Sequence, residues 1–404
     1  MPGCFWPKIF CCMLVLFGSG LRAEPLKIYV DADYTISTAA AEAIELGVNT
    51  ALDEVGFQLG GLDVVVVPKD HRGNVKRSKR TMKQYLASDD ALAIVGGLHS
   101  PPYLSYRDFM NENGVLTLLP WSAAGPITRG AHDQPNWIFR LSVDDTQSGE
   151  FLVREAVESA KCEKIALILV DTGWGRANHA TLIKAFEQRQ MTPAIVQFFA
   201  TSIGNATANS FAENIIRSGA TCGIMLANWN NGALLVNALH DRLPNFKLFS
   251  HWGITGGGFE DLVPHHVRTD MRISVLQTCG FRREIEGSEV LASALDRAGL
   301  EGGTLSELPA PTGFVHGYDL ARILVAAAEQ ASETAQWNGN IVEKRRALRR
   351  SLENLNAPVT GILNTYDPPF QPYTAENTAA HEALSGDDLC TAEFKEDGRL
   401  DDAG

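Results

Sequence analysis

Beyond its first 23 residues the sequence has no apolar run approaching the ~20 residues that a membrane-crossing helix needs. It is short of positive charge: 35 Lys and Arg against 48 Asp and Glu leave a formal charge of −13. The basic groups Lys344-Arg345-Arg346 and Arg349-Arg350 alternate with apolar residues and read as one solvated helix face. Neutralising phosphates needs a positive surface, so no nucleic-acid partner is expected, and an acidic balance mainly favours solubility. The signatures of common cofactor and catalytic sites are missing too. A dinucleotide site needs Gly-x-Gly-x-x-Gly between the first strand and its helix. Here that turn runs Asp31-Ala32-Asp33-Tyr34-Thr35-Ile36-Ser37, without glycine. There is no phosphate-binding P-loop and no Gly-x-Ser-x-Gly elbow. Gly256-Gly257-Gly258 has the wrong spacing and reads as a turn. His381-Glu382 and His265-His266 lack further ligands at metal spacing and read as ordinary surface residues. Nothing points to catalysis, to a cofactor or to a metal.

Cysteine is sparse. Of seven, Cys4, Cys11 and Cys12 lie in the first 23 residues. That segment reads as a signal peptide: Lys8, a short apolar run from Ile9 to Phe17, a Gly18-Ser19-Gly20 break and a small residue at Ala23. Export to the periplasm is the expectation. Cys162, Cys222, Cys279 and Cys390 remain, and an even number in an oxidising compartment suggests two disulfides. Four buried free thiols are the alternative.

What is present is alternation. Strands are expected at Leu26–Val30, Val64–Val67, Ala91–Val95, Val115–Leu119 and Trp137–Leu141, with helices at Ile44–Val55 and Tyr103–Asn113. The unbroken β-branched run Val64–Val67 suggests a strand buried on both faces. The pattern restarts with strands Ile165–Val170, Ala194–Phe199, Gly223–Ala227 and Lys247–Ser250. They alternate with helices Ala177–Gln188, Phe211–Ser218 and Ala233–Arg242. More helices follow at Val290–Ala298, Gly317–Gln330 and Val342–Leu355, and Gly361–Leu400 has little regular pattern. Strand–helix alternation implies parallel sheets with right-handed crossovers. Two runs of it imply an α/β chain of two doubly wound parallel-sheet lobes. In such a sheet the first and third strands are commonly neighbours. Cys162 and Cys222 precede those strands of the second lobe, which pairs them and leaves Cys279 with Cys390.

Gly96-Gly97-Leu98-His99-Ser100-Pro101-Pro102 follows a strand, and Pro120-Trp121-Ser122-Ala123-Ala124-Gly125-Pro126 follows the next. With Asp171-Thr172-Gly173-Trp174-Gly175-Arg176, Gly317-Tyr318-Asp319 and Pro358-Val359-Thr360-Gly361, they occur in an order that resembles the leucine/isoleucine/valine class of type I periplasmic binding proteins. The resemblance covers nearly the whole mature chain. It implies two lobes joined by a three-segment hinge, with crossings near Leu141, Gln277 and Gly361. Lobe 1 would be 24–141 and 277–360, and lobe 2 would be 142–276 and 361–404. It also implies a monomer that captures a small molecule between the lobes and presents it to the membrane permease of an ABC importer. A sensor that passes the ligand to a receptor is the rival reading.

Ligands of open α/β sheets sit beyond the carboxyl ends of strands. Ser100, with its hydroxyl and nearby N–H groups at a helix start, is placed to hold an oxygen there, or else to cap the helix. Ser122, Ala123 and Ala124 offer close backbone approach. Trp121, Trp174, Asn228, Trp229 and Trp252 stand at strand ends, and Tyr34, Asp31 and Asp33 at the corresponding end of the first lobe. The resemblance adds one departure. Amino-acid binders commonly carry Glu where this chain has Trp252. An aromatic ring or a bulky cation is therefore expected to suit this cleft better than an aliphatic amino acid.

Overall fold

The computed structural model describes residues 24–402 except 133, 282–284 and 286. The expected signal peptide lies outside the described residues. Among the described residues fifteen strands form two large sheets and one small one. The first sheet holds β1 (Leu26–Ala32), β2 (Gln58–Leu59), β3 (Leu62–Asp70), β4 (Ala91–Gly96), β5 (Thr117–Leu119) and β6 (Ile138–Arg140), in the order β2-β3-β1-β4-β5-β6. The second holds β7 (Ile165–Val170), β8 (Ile195–Phe199), β9 (Cys222–Leu226), β10 (Lys247–Ser250) and β11 (Ser274–Thr278). Two late strands, β14 (Leu389–Phe394) and β15 (Leu400–Asp402), complete it in the order β15-β14-β11-β10-β9-β7-β8. The small sheet is the hairpin of β12 (Val359–Thr360) and β13 (Thr365–Tyr366). Each large sheet is parallel at its centre and antiparallel at an edge.

The helices of the first lobe are α1 (Thr38–Asp53), α2 (Val75–Ala87) and α3 (Pro101–Asn113). Those of the second are α4 (Asp145–Arg154), α5 (Gly173–Gln188), α6 (Asn205–Ser218), α7 (Trp229–His240) and the short α8 (Phe259–Leu262) and α9 (His265–Asp270). Then come α10 (Glu289–Arg297), α11 (Pro311–Ser332) and α12 (Ile341–Glu353). β4 and β7 are buried along their whole length, as continuous apolar runs in central parallel strands should be. β3 is not: Val64 is buried but Val65 is 38% exposed. The β-branched run marks a strand without marking its position, and its outer neighbour is the two-residue edge strand β2. α2 and α4 were not legible. α2 repeats at helical spacing, but its buried face is Ser78, Thr81, Met82 and Tyr85, too polar to read as a core face among Lys76, Arg77, Lys79, Arg80 and Lys83.

Small residues bring α1 and α11 together. A Cβ on Gly47 would lie 2.2 Å from the Phe314 carbonyl oxygen, and one on Gly317 would lie 2.5 Å from that of Ile44. The motif Gly317-Tyr318-Asp319 is thus structural. Asp319 accepts the N–H groups of Ile362 (2.6 Å) and Leu363 (3.0 Å) and the hydroxyl of Tyr366 (2.7 Å). It pins the hairpin after Pro358-Val359-Thr360-Gly361 to α11. Burial pushes its carboxyl up to about 6, against those donors.

The disulfides are Cys162–Cys222 and Cys279–Cys390. Strand pairing sets both: Ile165 lies opposite Cys222, and Gln277 opposite Cys390. They close 60 and 111 residues of chain, and loop-closure entropy assigns each roughly 4–5 kcal/mol.

Two sequence readings need correction. The basic face of α12 is not solvated throughout. Arg345 is buried over the Tyr85 ring and donates to the carbonyls of Tyr85 (2.6 Å), Ser88 (3.1 Å) and Ala91 (2.9 Å). Arg349 donates to the Asn136 carbonyl at 2.8 Å. His381 and Glu382, read as surface residues, are buried where the chain returns towards the second sheet. Glu382 takes Arg140 Nε at 2.6 Å and Nη2 at 2.7 Å, and Arg129 Nη1 at 2.7 Å. Arg129 also bonds Asp144. Arg140 closes the last strand of the first sheet, so this pair joins two of the passages between the sheets. Backbone bonds Arg140 N–H to His381 O and Ala383 N–H to Arg140 O, both 2.9 Å, frame it.

Removing one member of such a pair leaves the other buried without a counter-charge, at a cost of about 3–5 kcal/mol. Glu382→Gln is therefore expected to lower the thermal unfolding midpoint by at least several degrees. An unchanged midpoint in differential scanning calorimetry would show that Arg140 does not depend on Glu382.

Candidate functional site

The carboxyl ends of β4, β5, β7, β9 and β10 meet across a cavity of about 40 Å³ between the lobes. From the first lobe come Leu98, His99, Ser100, Pro101, Trp121 and Ala123. From the second come Val170, Thr172, Trp174, Asn228, Trp252 and Gly253. Six residues singled out from sequence therefore converge: Ser100, Trp121, Ala123, Trp174, Asn228 and Trp252.

Four do not. The Ser122 hydroxyl donates to the carbonyls of Gly97 (2.6 Å) and His99 (3.1 Å), and so staples the two cleft loops from behind. Ala124 is spent on scaffold contacts: its N–H donates to Ser100 Oγ at 3.2 Å, and its carbonyl accepts Arg140 Nη1 at 2.9 Å. Trp229 sits at the rim, where its indole N–H donates to the Ile36 carbonyl of the other lobe at 3.3 Å. Gly257 makes room for that indole, since a Cβ there would lie 2.5 Å from Trp229 Nε1. Tyr34 faces away from the cleft and donates to Glu45 at 2.5 Å. The carboxyl end of a strand tells which residues are near a cleft, but loop geometry decides which of them turn into it.

Ser100 is not a side-chain cap of α3. Its oxygen accepts from Ala124, and its own proton is left to donate. The first two residues of α3, Pro101 and Pro102, carry no N–H, so this helix start supplies fewer donors than the sequence reading assumed. The second lobe supplies more. Thr172 caps α5 through the Gly175 N–H alone, at 3.3 Å, and Asn228 at the start of α7 makes no side-chain cap. Three helix N-termini, each with its positive dipole end, thus converge on the cavity.

The indoles are held from behind. Trp174 Nε1 donates to Asp145 at 2.8 Å, and the same carboxylate takes Asn178 Nδ2 and His251 Nε2, both at 2.6 Å. The Asp145 N–H donates to the Ala123 carbonyl at 2.9 Å, so one residue touches the cleft loops of both lobes. His251 packs edge-on against Trp174 and Trp252, at 5.1 and 4.8 Å between ring centroids. Trp121 is fully buried, and its indole N–H has no partner among the described residues. Asp145 and His99 were missed from sequence. Asp145 sits in a helix with no visible pattern, whereas His99, next to Ser100 at a strand end, carried a usable signal. Among the described residues no group of acidic, histidine and cysteine side chains could hold a metal ion.

Asp145→Ala should leave the buried Trp174 and His251 donors unpaired and Asn178 Nδ2 with only the Trp174 carbonyl, at a combined cost of about 3–5 kcal/mol. Burial works against the Asp145 charge, but the His251 and Asn178 contacts outweigh it and hold its pKa below the ordinary aspartate value. Its contribution is thus present above that ordinary value and is lost as pH falls through the lowered one. Acid titration followed by tryptophan fluorescence should show the variant losing native emission at higher pH than the wild type. Coincident titrations would mean that this carboxylate does not hold Trp174.

No curated relative matches the chain. A family model described as periplasmic binding protein matches residues 32–242. Among solved structures, a leucine-binding protein from Thermotoga maritima superposes with a TM-score of 0.73 at 15% identity, covering 94% of this chain and 98% of that one. An ABC-transporter solute-binding protein from Rhodopseudomonas palustris, in complex with p-hydroxybenzoic acid, gives 0.72 at 15% identity over 94% and 95%. Another from R. palustris, in complex with benzoate, gives 0.70 at 17% over 94% and 96%. The shared fold, together with a family model that spans more than half of the chain, establishes that it belongs to the periplasmic binding protein family.

Proposed function

We propose that the chain is the solute-binding component of an ABC importer and that its ligand is a small aromatic carboxylate. The observation that carries this is the lining: three indoles, Trp121, Trp174 and Trp252, and no acidic side chain. Stacking on indoles contributes about 0.5–1.5 kcal/mol per ring pair beyond area burial. The nearest carboxylates are turned away. Asp145 is saturated behind Trp174, and Asp33 lies behind His99. An α-ammonium group would find no counter-charge, and the three helix N-termini disfavour any cation. This narrows the expectation from sequence: the bulky cation drops out and the ring with an anionic group remains. Solved relatives with the same fold include complexes with p-hydroxybenzoic acid and with benzoate.

A benzene ring needs more room than the ~40 Å³ between the lobes. Binding therefore requires the lobes to part about the crossing segments and close again, with the closed form favoured by contacts to both lobes. The liganded, closed monomer is what a permease would receive. Capture without turnover suits a cavity that no catalytic signature accompanies.

The indoles report directly on the cleft. Titration with benzoate and 4-hydroxybenzoate should change tryptophan emission and saturate at micromolar ligand. Leucine and choline should have no effect at the same concentrations. Saturation by leucine or choline, with silence towards both aromatic acids, would refute the proposed ligand class.

A further inference from the structure

Among the described residues that line the cavity, His99 is the only one with a titratable side chain. It does not stand alone. Its Nε2 lies 3.3 Å from Asp33 Oδ2 and 3.3 Å from Ser37 Oγ. Asp33 is 3% exposed, just beyond β1, and its other oxygen accepts the N–H groups of Thr35 (3.1 Å) and Ile36 (2.9 Å). Burial opposes the charge on Asp33, but His99 and those N–H groups outweigh it and hold the carboxyl at about 2. Asp33 is therefore a fixed anion throughout the neutral range. A fixed anion beside Nε2 favours the tautomer that carries its proton there, which makes Nδ1 the nitrogen available to a ligand.

The groups around the ring reinforce this arrangement. His71, on the turn after β3, has its ring centroid 5.9 Å from that of His99. Its Nδ1 accepts the Gly73 N–H at 3.0 Å. It is fully buried, and burial together with the His99 charge pulls it down to about 4. It stays neutral and does not compete for Asp33. Asp70 lies beyond His71, bonded to Tyr34 N–H, Thr35 and Arg72. The second lobe turns only uncharged residues to the cavity: Val170, Thr172, Trp174, Asn228, Trp252 and Gly253. Apart from the ligand, His99 thus has a single close charged partner, and that partner is negative.

We infer that the Asp33–His99 pair is the anion-gripping end of the cleft and that each anionic ligand is bound together with one proton. This rests on the aromatic-carboxylate reading above. A neutral imidazole that donates from Nε2 to Asp33 offers a lone pair at Nδ1, which repels a carboxylate. A proton from solvent settles on Nδ1, and the imidazolium then bridges Asp33 and the ligand carboxylate with a donor to each. No covalent bond to the ligand changes. Ser100 and the unpartnered Trp121 N–H are further donors in the lining, as are Thr172 and Asn228 of the second lobe. Specificity follows: a neutral amide or alcohol of the same shape gains nothing from the proton and should bind independently of pH. Asp33 acts here as a positioning residue, through the ring, without touching the ligand.

The test is calorimetric titration of the full protein with benzoate between about pH 5 and pH 9, in two buffers of different ionisation enthalpy. Benzoate is ionised throughout. The wild type should take up close to one proton per ligand at the alkaline end and almost none at the acidic end. Its affinity should fall towards the alkaline end, by up to about tenfold per pH unit. His99→Gln should bind more weakly, with no pH dependence and no proton uptake. Asp33→Asn should keep the ring but bind benzoate more weakly than the wild type at the alkaline end. Benzoate binding by the wild type with constant affinity and no proton uptake would overturn the inference and leave the aromatic-carboxylate reading standing. No binding of benzoate or 4-hydroxybenzoate at any pH would overturn that reading, and the pair's role with it.

Discussion

Arg140 places a guanidinium where no water reaches, and Glu382 makes that tolerable. An unpaired charge at such depth costs several kcal/mol, whereas a bidentate partner restores most of what hydration supplied. The two residues are 242 apart in sequence. One ends the last strand of the first sheet, and the other lies on the return to the second sheet. Their contact fixes where two of the passages between lobes run relative to each other. Arg140 also donates to Ala124 and lies 3.5 Å from Asp144. The same guanidinium therefore sets the loop behind the cleft and the start of α4. The next residue, Asp145, reaches forward to Trp174 and, through its N–H, to Ala123. The passage between the two sheets and the cleft are built on one run of chain.

The cleft follows a consistent division of labour. Apolar faces are turned inward, and the charges that orient them stand one layer back. Asp145 holds Trp174 and His251, Asp33 holds His99, and Ser122 holds the Gly97 and His99 carbonyls. A charge one layer back is shielded from water by the ring it holds, which strengthens its grip on that ring. It also keeps the cavity free of a permanent negative charge. The ligand then meets indoles, hydroxyls and helix N-termini. On the proposed reading, that surface takes an aromatic anion.

The layering explains which residues could be found from sequence. Trp121, Trp174, Trp252, Ser100, Ala123 and Asn228 lie within a few residues of strand ends, and strand ends are visible as the limits of β-branched runs. Asp145, Glu382, His381 and Arg345 are polar and look like surface from sequence, because polarity alone does not reveal a distant partner. Tyr34 and Trp229 had the correct strand-end position and the wrong direction. Which way a loop side chain points depends on contacts such as Tyr34 with Glu45 and Trp229 with Ile36, which no local pattern encodes.

Alternating strands and helices, the loops that follow them and the even cysteine count determined the two-lobed α/β class and the disulfide pairing. All are local: periodicity sets each element, and a parallel sheet of consecutive units has few ways to order its strands. Tertiary structure alone decided the chemistry of the cleft. It joined Arg140 to Glu382, put Asp145 behind an indole, removed Trp229 and Tyr34 from the lining and set His99 against Asp33. Each of these is a polar contact between residues far apart in the chain or on separate turns, and those of Arg140, Asp145 and Asp33 are buried or nearly so. Such a pairing exists only once folding has excluded water and left each group with one possible partner.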